Sequence, residues 1–398
     1  MRVLLIGLFI VFTCNYAFGF MASNDNFQKE IRILKELDID PRYINDEYLW
    51  QLKNSRINVT KQEFINTITK EYKHAAIIKD VLKQRGAPNS LLYLAIVESK
   101  LSNRATSGAK AAGIWQFIPS TAKLHNLNVD KYVDERRDPL QATHAAIDYL
   151  ERLKERFGKW YLAILAYNAG EGKLSRAIKD AGSDDIKTLL DPERKYLSLE
   201  TRNYLRKIIM MAYVANDSDF LISKDSSMLN SATYIGIEKM EIPGGISLLD
   251  IASTIGFSVE KLSKYNTHLR YSFTPPDREK YYIYIPTIKK EEFVANYKVS
   301  QKTKIYNTKK GDTFDIIAKK LDIKASDIKK YNNIDKIQSN YKLALPSNAK
   351  TIYEYQVKKG DTLGAISRKF GVEVADIIKA NSKTNMKLAI GENLVIPH

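Results

Sequence analysis

The sequence predicts a mainly α domain followed by three small modules, each reading strand, helix, helix, strand. Three observations carry that prediction. From Glu71 to about Asn216 the apolar residues recur at helical spacing, with caps and stops between the runs. From Met240 onward the pattern changes to short alternating strands around amphipathic helices, and it repeats. The length, 398 residues, exceeds one ordinary core, and 44% hydrophobic against 27% charged residues is the balance of a folded, soluble chain.

The first element is a leader. Arg2 precedes the apolar run Val3 to Phe12, about half of what a helix needs to cross a bilayer. Ala17-Phe18-Gly19 then puts small residues at the cleavage positions, so residues 1–19 read as an export signal peptide. The single Cys14 lies inside this segment, and cleavage after Gly19 would leave no cysteine for disulfides or thiolate metal sites. Val11-Phe12-Thr13-Cys14 is a poor lipoprotein signal and ranks second; lipidation at Cys14 would add membrane association.

Residues 20–70 read as a polar helical extension, with Ile31, Leu34 and Leu37 or Ile39 at helical spacing. Within 71–220, Pro88 opens a helix whose core face is Leu91, Leu94 and Ala95. Asp138-Pro139 is a cap with a first-turn proline, and Ile147, Leu150, Leu153 and Phe157 continue a stripe that Gly158 stops. Trp160 to Ala169 is a further apolar helix ending at Gly170, and Thr201 to Ala215 another.

The C-terminal part repeats. "YNTKKGDTFDIIAKKLDIKASDIKKYN" from Tyr306 matches "YQVKKGDTLGAISRKFGVEVADIIKAN" from Tyr355 at twelve of twenty-seven positions. In each copy a short strand leads to Gly-Asp-Thr, and Asp312-Thr313 and Asp361-Thr362 read as N-caps of the next helix. A second helix ends at Asn332 or Asn381, and the closing strands are "KLALP" and "NLVIP". A fainter copy starts near Met240, where "SLLDIASTIGFSVEKLSKYN" and "YYIYIP" match but Gly244-Gly245-Ile246-Ser247 replaces the Gly-Asp-Thr turn.

Lys plus Arg number 62 against 46 Asp plus Glu, a formal charge of +16 that favours polyanions. The leader argues against nucleic acid and for anionic lipid surfaces or acidic wall polymers, and most of the lysines read as solvated faces. Gly170-Glu171-Gly172-Lys173 lacks the earlier glycine of a phosphate loop, since Tyr167 stands there. His74, His125, His144, His268 and His398 show no metal-ligand spacing, and there is no nucleophile elbow.

What remains is Glu98, at the end of the run Leu91 to Val97 and on the same helical side as Leu94 and Ala95. A carboxyl against an apolar wall is pushed toward its protonated form near neutral pH, the state a general acid requires. A glutamate in the last turn of a helix is also commonly just solvated, so the feature alone leaves both readings open.

Its company decides between them. Val97-Glu98-Ser99 is followed by Ser107-Gly108-Ala109, by Gly113-Ile114-Trp115-Gln116-Phe117-Ile118-Pro119, by Ala166-Tyr167-Asn168-Ala169-Gly170 and by Glu200-Thr201 with Tyr204. In that order these signatures resemble lysozyme-like lytic transglycosylases, a glycoside hydrolase family 23 type domain, particularly the membrane-bound type D branch. The C-terminal units resemble LysM modules.

The resemblance implies a mainly α, goose-lysozyme-like catalytic domain followed by small α+β LysM (βααβ) modules. It implies an SLT domain at 71–220, a degenerate LysM-like module at 238–287, and LysM modules at 304–347 and 353–398. Glu98 matches the catalytic acid, and Ser107, Gln116, Tyr167, Asn168 and Tyr204 match substrate-binding positions. Trp115 reads as core. Ile118 and Ser198-Leu199 depart from the pattern, where Met and Pro are common.

The implied partner is the peptidoglycan glycan strand, with no nucleic acid, no metal and no organic cofactor. The implied location is the periplasm or cell envelope, with outer-membrane association if lipidated. The implied reaction is non-hydrolytic cleavage of the β-1,4 bond between N-acetylmuramic acid and N-acetylglucosamine, closing a 1,6-anhydro ring. One residue serves as acid and then base, and Lys100 to Thr121 contains no second carboxylate. Two alternatives stay open on the sequence: a hydrolytic muramidase with Asp134 or Glu171 as base, and a non-catalytic peptidoglycan-binding protein.

Overall fold

The computed structural model describes residues 25–224, 236–298, 302–350, 352–381, 383 and 385–397; the expected leader and Cys14 lie outside the described residues. The chain divides into two units, one of residues up to 129 with 134–234, the other of 130–133 with 235–398. Among the described residues no helix is long and apolar enough to cross a membrane.

Among the described residues the named elements of the first unit are helices, with isolated β-bridges in the loop between residues 106 and 117. Its elements are α1 (25–36), α2 (Glu47–Arg85), α3 (Leu91–Ser99), α4 (Pro119–Leu124), α5 (Gln141–Phe157), α6 (Trp160–Ala169), α7 (Glu171–Ala181), α8 (Ile186–Leu189), α9 (Leu199–Asn216) and α10 (Ser218–Lys224). The carboxylate of Asp46 caps α2 by accepting from the Leu49 amide. Residue Glu71, at φ −117° and ψ 28°, kinks this long helix.

Helices α3 and α6 are apolar on every side because every side is covered: Leu91 to Ile96 and Trp160 to Ala166 are all buried. Helix α9, capped by Ser198, is buried at most positions from Thr201 to Val214 and packs against α2, α3 and α6. Burying each leucine of these helices contributes roughly 1.5–3 kcal/mol, which fixes the three against one another. Helix α5 carries the expected stripe of Ile147, Leu150 and Leu153, starts where Asp138 Oδ1 accepts from the Leu140 and Gln141 amides, and packs on α6. In the N-terminal extension the core contacts are Ile33, Leu34, Leu37 and Ile39; Ile31 is only half-buried, since the run turns out of helix after residue 36.

The second unit holds three antiparallel strand pairs. They are β1 (Ile237–Pro243) with β2 (Lys280–Pro286), β3 (Lys304–Asn307) with β4 (Lys342–Leu345), and β5 (Ile352–Gln356) with β6 (Asn393–Pro397). Between the strands of each pair lie two short helices: α11 (Leu248–Thr254) and α12 (Val259–Ser263), then α14 (Phe314–Leu321) and α15 (Ala325–Asn332), then α16 (Leu363–Phe370) and α17 (Val374–Ala380). Helix α13 (Lys290–Asn296) follows β2. Each pair closes over its own small core.

One device recurs in all three modules. Asn266, Asn332 and Asn381 each donate to a carbonyl one turn back and to the closing strand, at Tyr284, Ala344 and Val395 respectively. Each side-chain oxygen also accepts that strand residue's amide. The asparagine that ends the helical half thus hydrogen-bonds both the N–H and the C=O of one residue of the closing strand.

The Gly-Asp-Thr turn needs a correction. Thr313 and Thr362 are the caps, accepting from Ile316 and Ala365 amides, whereas Asp312 and Asp361 accept from the hydroxyls of Tyr306 and Tyr355 and from the Lys309 and Lys358 amides. The first module replaces this tyrosine–aspartate pair with Met240 and Ile246, both in its apolar core. Its turn closes so tightly that a Cβ on Gly244 would lie 2.0 Å from the Arg278 carbonyl oxygen.

Candidate active site

Glu98 sits in the last turn of α3, where the apolar run ends, and is half-buried. Its Oε1 accepts a hydrogen bond of 2.5 Å from the hydroxyl of Tyr204, a buried residue of α9. Burial pushes the Glu98 carboxyl up to about 7; the Tyr204 hydrogen bond opposes the rise and the negative charge of Glu200 adds to it. Burial and the Glu98 charge hold the hydroxyls of Tyr204 and Tyr167 well above the ordinary tyrosine range, so both remain donors.

The chain reverses directly behind Glu98. Lys100 and Leu101 take left-handed conformations at φ 53° and 59°, at roughly 1–2 kcal/mol each for residues with a Cβ. Ser99 donates to the Ile114 carbonyl at 2.7 Å, and Tyr167, at the end of α6, donates to the Trp115 carbonyl at 2.6 Å. These two bonds tie both helix ends to the Gly113–Phe117 turn.

Gln116 belongs to that turn, left-handed at φ 50°, with Nε2 donating to the Gly113 carbonyl at 2.8 Å. Trp115 is fully buried and donates to Thr143 at 3.0 Å, a core role. Ser107 lies apart in an exposed turn, its hydroxyl accepting from the Ala111 amide at 3.1 Å. Asn168 is half-buried beside Tyr167. The structure therefore draws Glu98, Tyr204 and Tyr167 together and fixes Gln116 on the adjoining turn.

Comparisons with known proteins give the domains and their relatives. Residues 75–190 match the transglycosylase SLT domain, 306–346 and 355–397 match the LysM domain, and 236–302 match the LysM-like domain of lytic transglycosylase MltD. The membrane-bound lytic murein transglycosylase D of Escherichia coli strain K12 is 29% identical over 326 residues, covering 73% of this chain and 69% of that protein; the counterpart from E. coli O6:H1 matches equally. The chain is similar to lytic murein transglycosylase D in its SLT domain, its LysM-like domain and its LysM domains. A solved structure, the 70 kDa soluble lytic transglycosylase of E. coli, is similar at 23% identity over 40% of this chain and 26% of that one, with a TM-score of 0.30.

The carboxylates of Asp134 and Glu171 are engaged by arginines. Asp134 is 2% exposed and is gripped by Arg136 through both oxygens, at 2.7 and 2.8 Å, with Arg137 at 3.5 Å. Glu171 is held by Arg152 at 3.0 Å and by Arg156. Both carboxylates are thus tied up in ion pairs with arginines.

The same arginines are parts of the site that the motifs did not reveal. Arg136 donates to the carbonyls of Lys110 and Phe117, and Arg137 to those of Asn103 and Ala105, so together they hold the loop that carries Ser107 and Gln116. The available signal was "DERRD" at Asp134 to Asp138, a dense charge run in a domain that buries most of what surrounds it.

Proposed function

We propose that this lytic transglycosylase cleaves the β-1,4 bond between N-acetylmuramic acid and N-acetylglucosamine in peptidoglycan and leaves 1,6-anhydro-muramic acid ends. The observation that carries the reading is the environment of Glu98: a half-buried carboxyl that receives a tyrosine hydroxyl and, among the described residues, forms no ion pair with a lysine or arginine. Because Tyr204 donates to Oε1, the proton of the resting acid belongs on Oε2. Glu98 gives that proton to the glycosidic oxygen as the bond to the muramic acid C1 breaks. The substrate's own N-acetyl group shields the positive charge that develops there. The carboxylate, now stabilised by the unchanged Tyr204 hydrogen bond, takes the proton of the C6 hydroxyl as O6 bonds to C1. The cycle returns Glu98 protonated, so one residue near neutral pKa serves both steps.

Tyr167, bonded to the turn that carries Gln116, and Gln116 itself, with Ser107 and Asn168, are our candidates for sugar contacts. Peptidoglycan is also the binding partner of the LysM modules, which raise the effective concentration of the catalytic domain at the wall without new contacts in the cleft. We read the chain as an exported, envelope-associated protein, supported by its leader-like start and by the membrane-bound relative.

Product analysis tests the chemistry. Mass spectrometry of digested sacculi should find muropeptide ends lighter by one water than reducing ends. Reducing ends as the main product would mean that water, not the C6 hydroxyl, is the acceptor.

A further inference from the structure

We infer that His74, on the kinked helix α2, is a positioning residue for Glu98: its ring holds the left-handed turn that follows the last turn of α3, where Glu98 sits. This rests on Glu98 being the acid. His74 Nδ1 lies 2.9 Å from the carbonyl oxygen of Leu101 and 3.0 Å from Glu71 Oε2, while Nε2 lies 3.1 Å from Asn103 Nδ2. Two acceptors at Nδ1 place the proton there and leave Nε2 to accept from the Asn103 amide.

Each contact bears on the turn behind Glu98. Leu101 is the second of two consecutive left-handed residues, and its side chain is fully buried, so its carbonyl direction is set by what receives it. The receiver is the His74 N–H. Asn103, two residues on, binds the other ring nitrogen, and its main-chain carbonyl accepts from Arg137 at 2.9 Å. The ring is thus clamped between the two ends of the reversal. Glu71, whose non-helical backbone kinks α2, sits one turn before His74 and meets the same nitrogen. The departure from helix at Glu71 places a carboxylate where it fixes the tautomer that Leu101 needs.

The claim predicts that the nitrogen at the Nδ1 position, rather than the bulk of the ring, matters. Asparagine places an amide nitrogen near the position of Nδ1, and glutamine places one near Nε2. In the full chain acting on soluble glycan strands, His74→Asn should keep kcat within about three-fold of wild type, while His74→Gln should lower it about ten-fold or more with KM nearly unchanged. Melting temperatures recorded alongside separate positioning from folding. Equal kcat for both variants, or equal losses that track a shared fall in melting temperature, would overturn the inference. A parallel Glu98→Gln arm keeps the premise distinct: activity there defeats the acid assignment, whereas an inactive Glu98→Gln beside a fully active His74→Gln defeats only the role of His74.

Discussion

Glu98→Gln should abolish turnover on peptidoglycan, with a loss of roughly a thousand-fold or more, because general acid–base help is worth about 10²–10⁴-fold and here one group supplies both transfers. The substitution isolates the proton. Glutamine has the same shape, its amide oxygen can still accept the 2.5 Å bond from Tyr204, and it is neutral like the protonated acid it replaces. Binding of glycan and thermal stability should therefore stay near wild type while chemistry stops. Stability could even rise slightly, since no carboxyl remains to be ionised against the apolar wall. The check is turnover measured with strand binding and thermal melting on one preparation. Retained turnover would remove Glu98 from the mechanism, and a large fall in melting temperature would mean that the carboxylate supports the fold.

The second large effect is expected at Gly113, far from any proton. Its φ is 79°, and a Cβ there would lie 1.8 Å from the Arg136 carbonyl oxygen and 2.7 Å from its carbon. Both atoms are main-chain atoms, and the Arg136 side chain is further held by Asp134 and by the carbonyls of Lys110 and Phe117. Gly113→Ala must move the backbone, at an expected loss of roughly 3 kcal/mol, or about 10 °C in melting temperature for a unit of this size. Activity should fall as well, since the shifted turn carries the carbonyls that Ser99 and Tyr167 bind and the side chain of Gln116. Calorimetric melting with turnover at a temperature where the variant is folded tests both halves. Unchanged melting would contradict the close approach of the two segments.

Much of this was legible in the sequence where the signal is local. The apolar run Trp160 to Ala169 ended where Gly170 marked it, and the stripe of α5 stopped at Gly158. Glu98 stood out because seven apolar residues precede it. The repeat pattern carried the strand, helix, helix, strand order of the modules, since cap, helix and closing strand are all written within a few residues of each other. It misassigned one bond: a threonine and an aspartate side by side are both good caps, and only the distant Tyr306 or Tyr355 hydroxyl decides which of them is free to cap.

What could not be read are contacts whose acceptor is a main-chain carbonyl. Ser99 on Ile114, Tyr167 on Trp115, His74 on Leu101 and Arg136 on Phe117 all end on an atom that every residue possesses. No residue type announces such a partner, so the contacts around Glu98 were invisible while Glu98 itself was not.

The central claim is that Glu98 stays proton-loaded near neutrality because it is half-buried and, among the described residues, forms no ion pair with a lysine or arginine. Titration of the carboxyl carbon of Glu98, followed by nuclear magnetic resonance on the folded full chain with Glu98→Gln to assign the signal, tests it directly. The account predicts a midpoint of about 7, with activity falling as pH rises through that value and the acid loses its proton. A midpoint near the ordinary glutamate value of 4.5 would contradict it, for the group would then be ionised at neutral pH and unable to protonate the leaving oxygen.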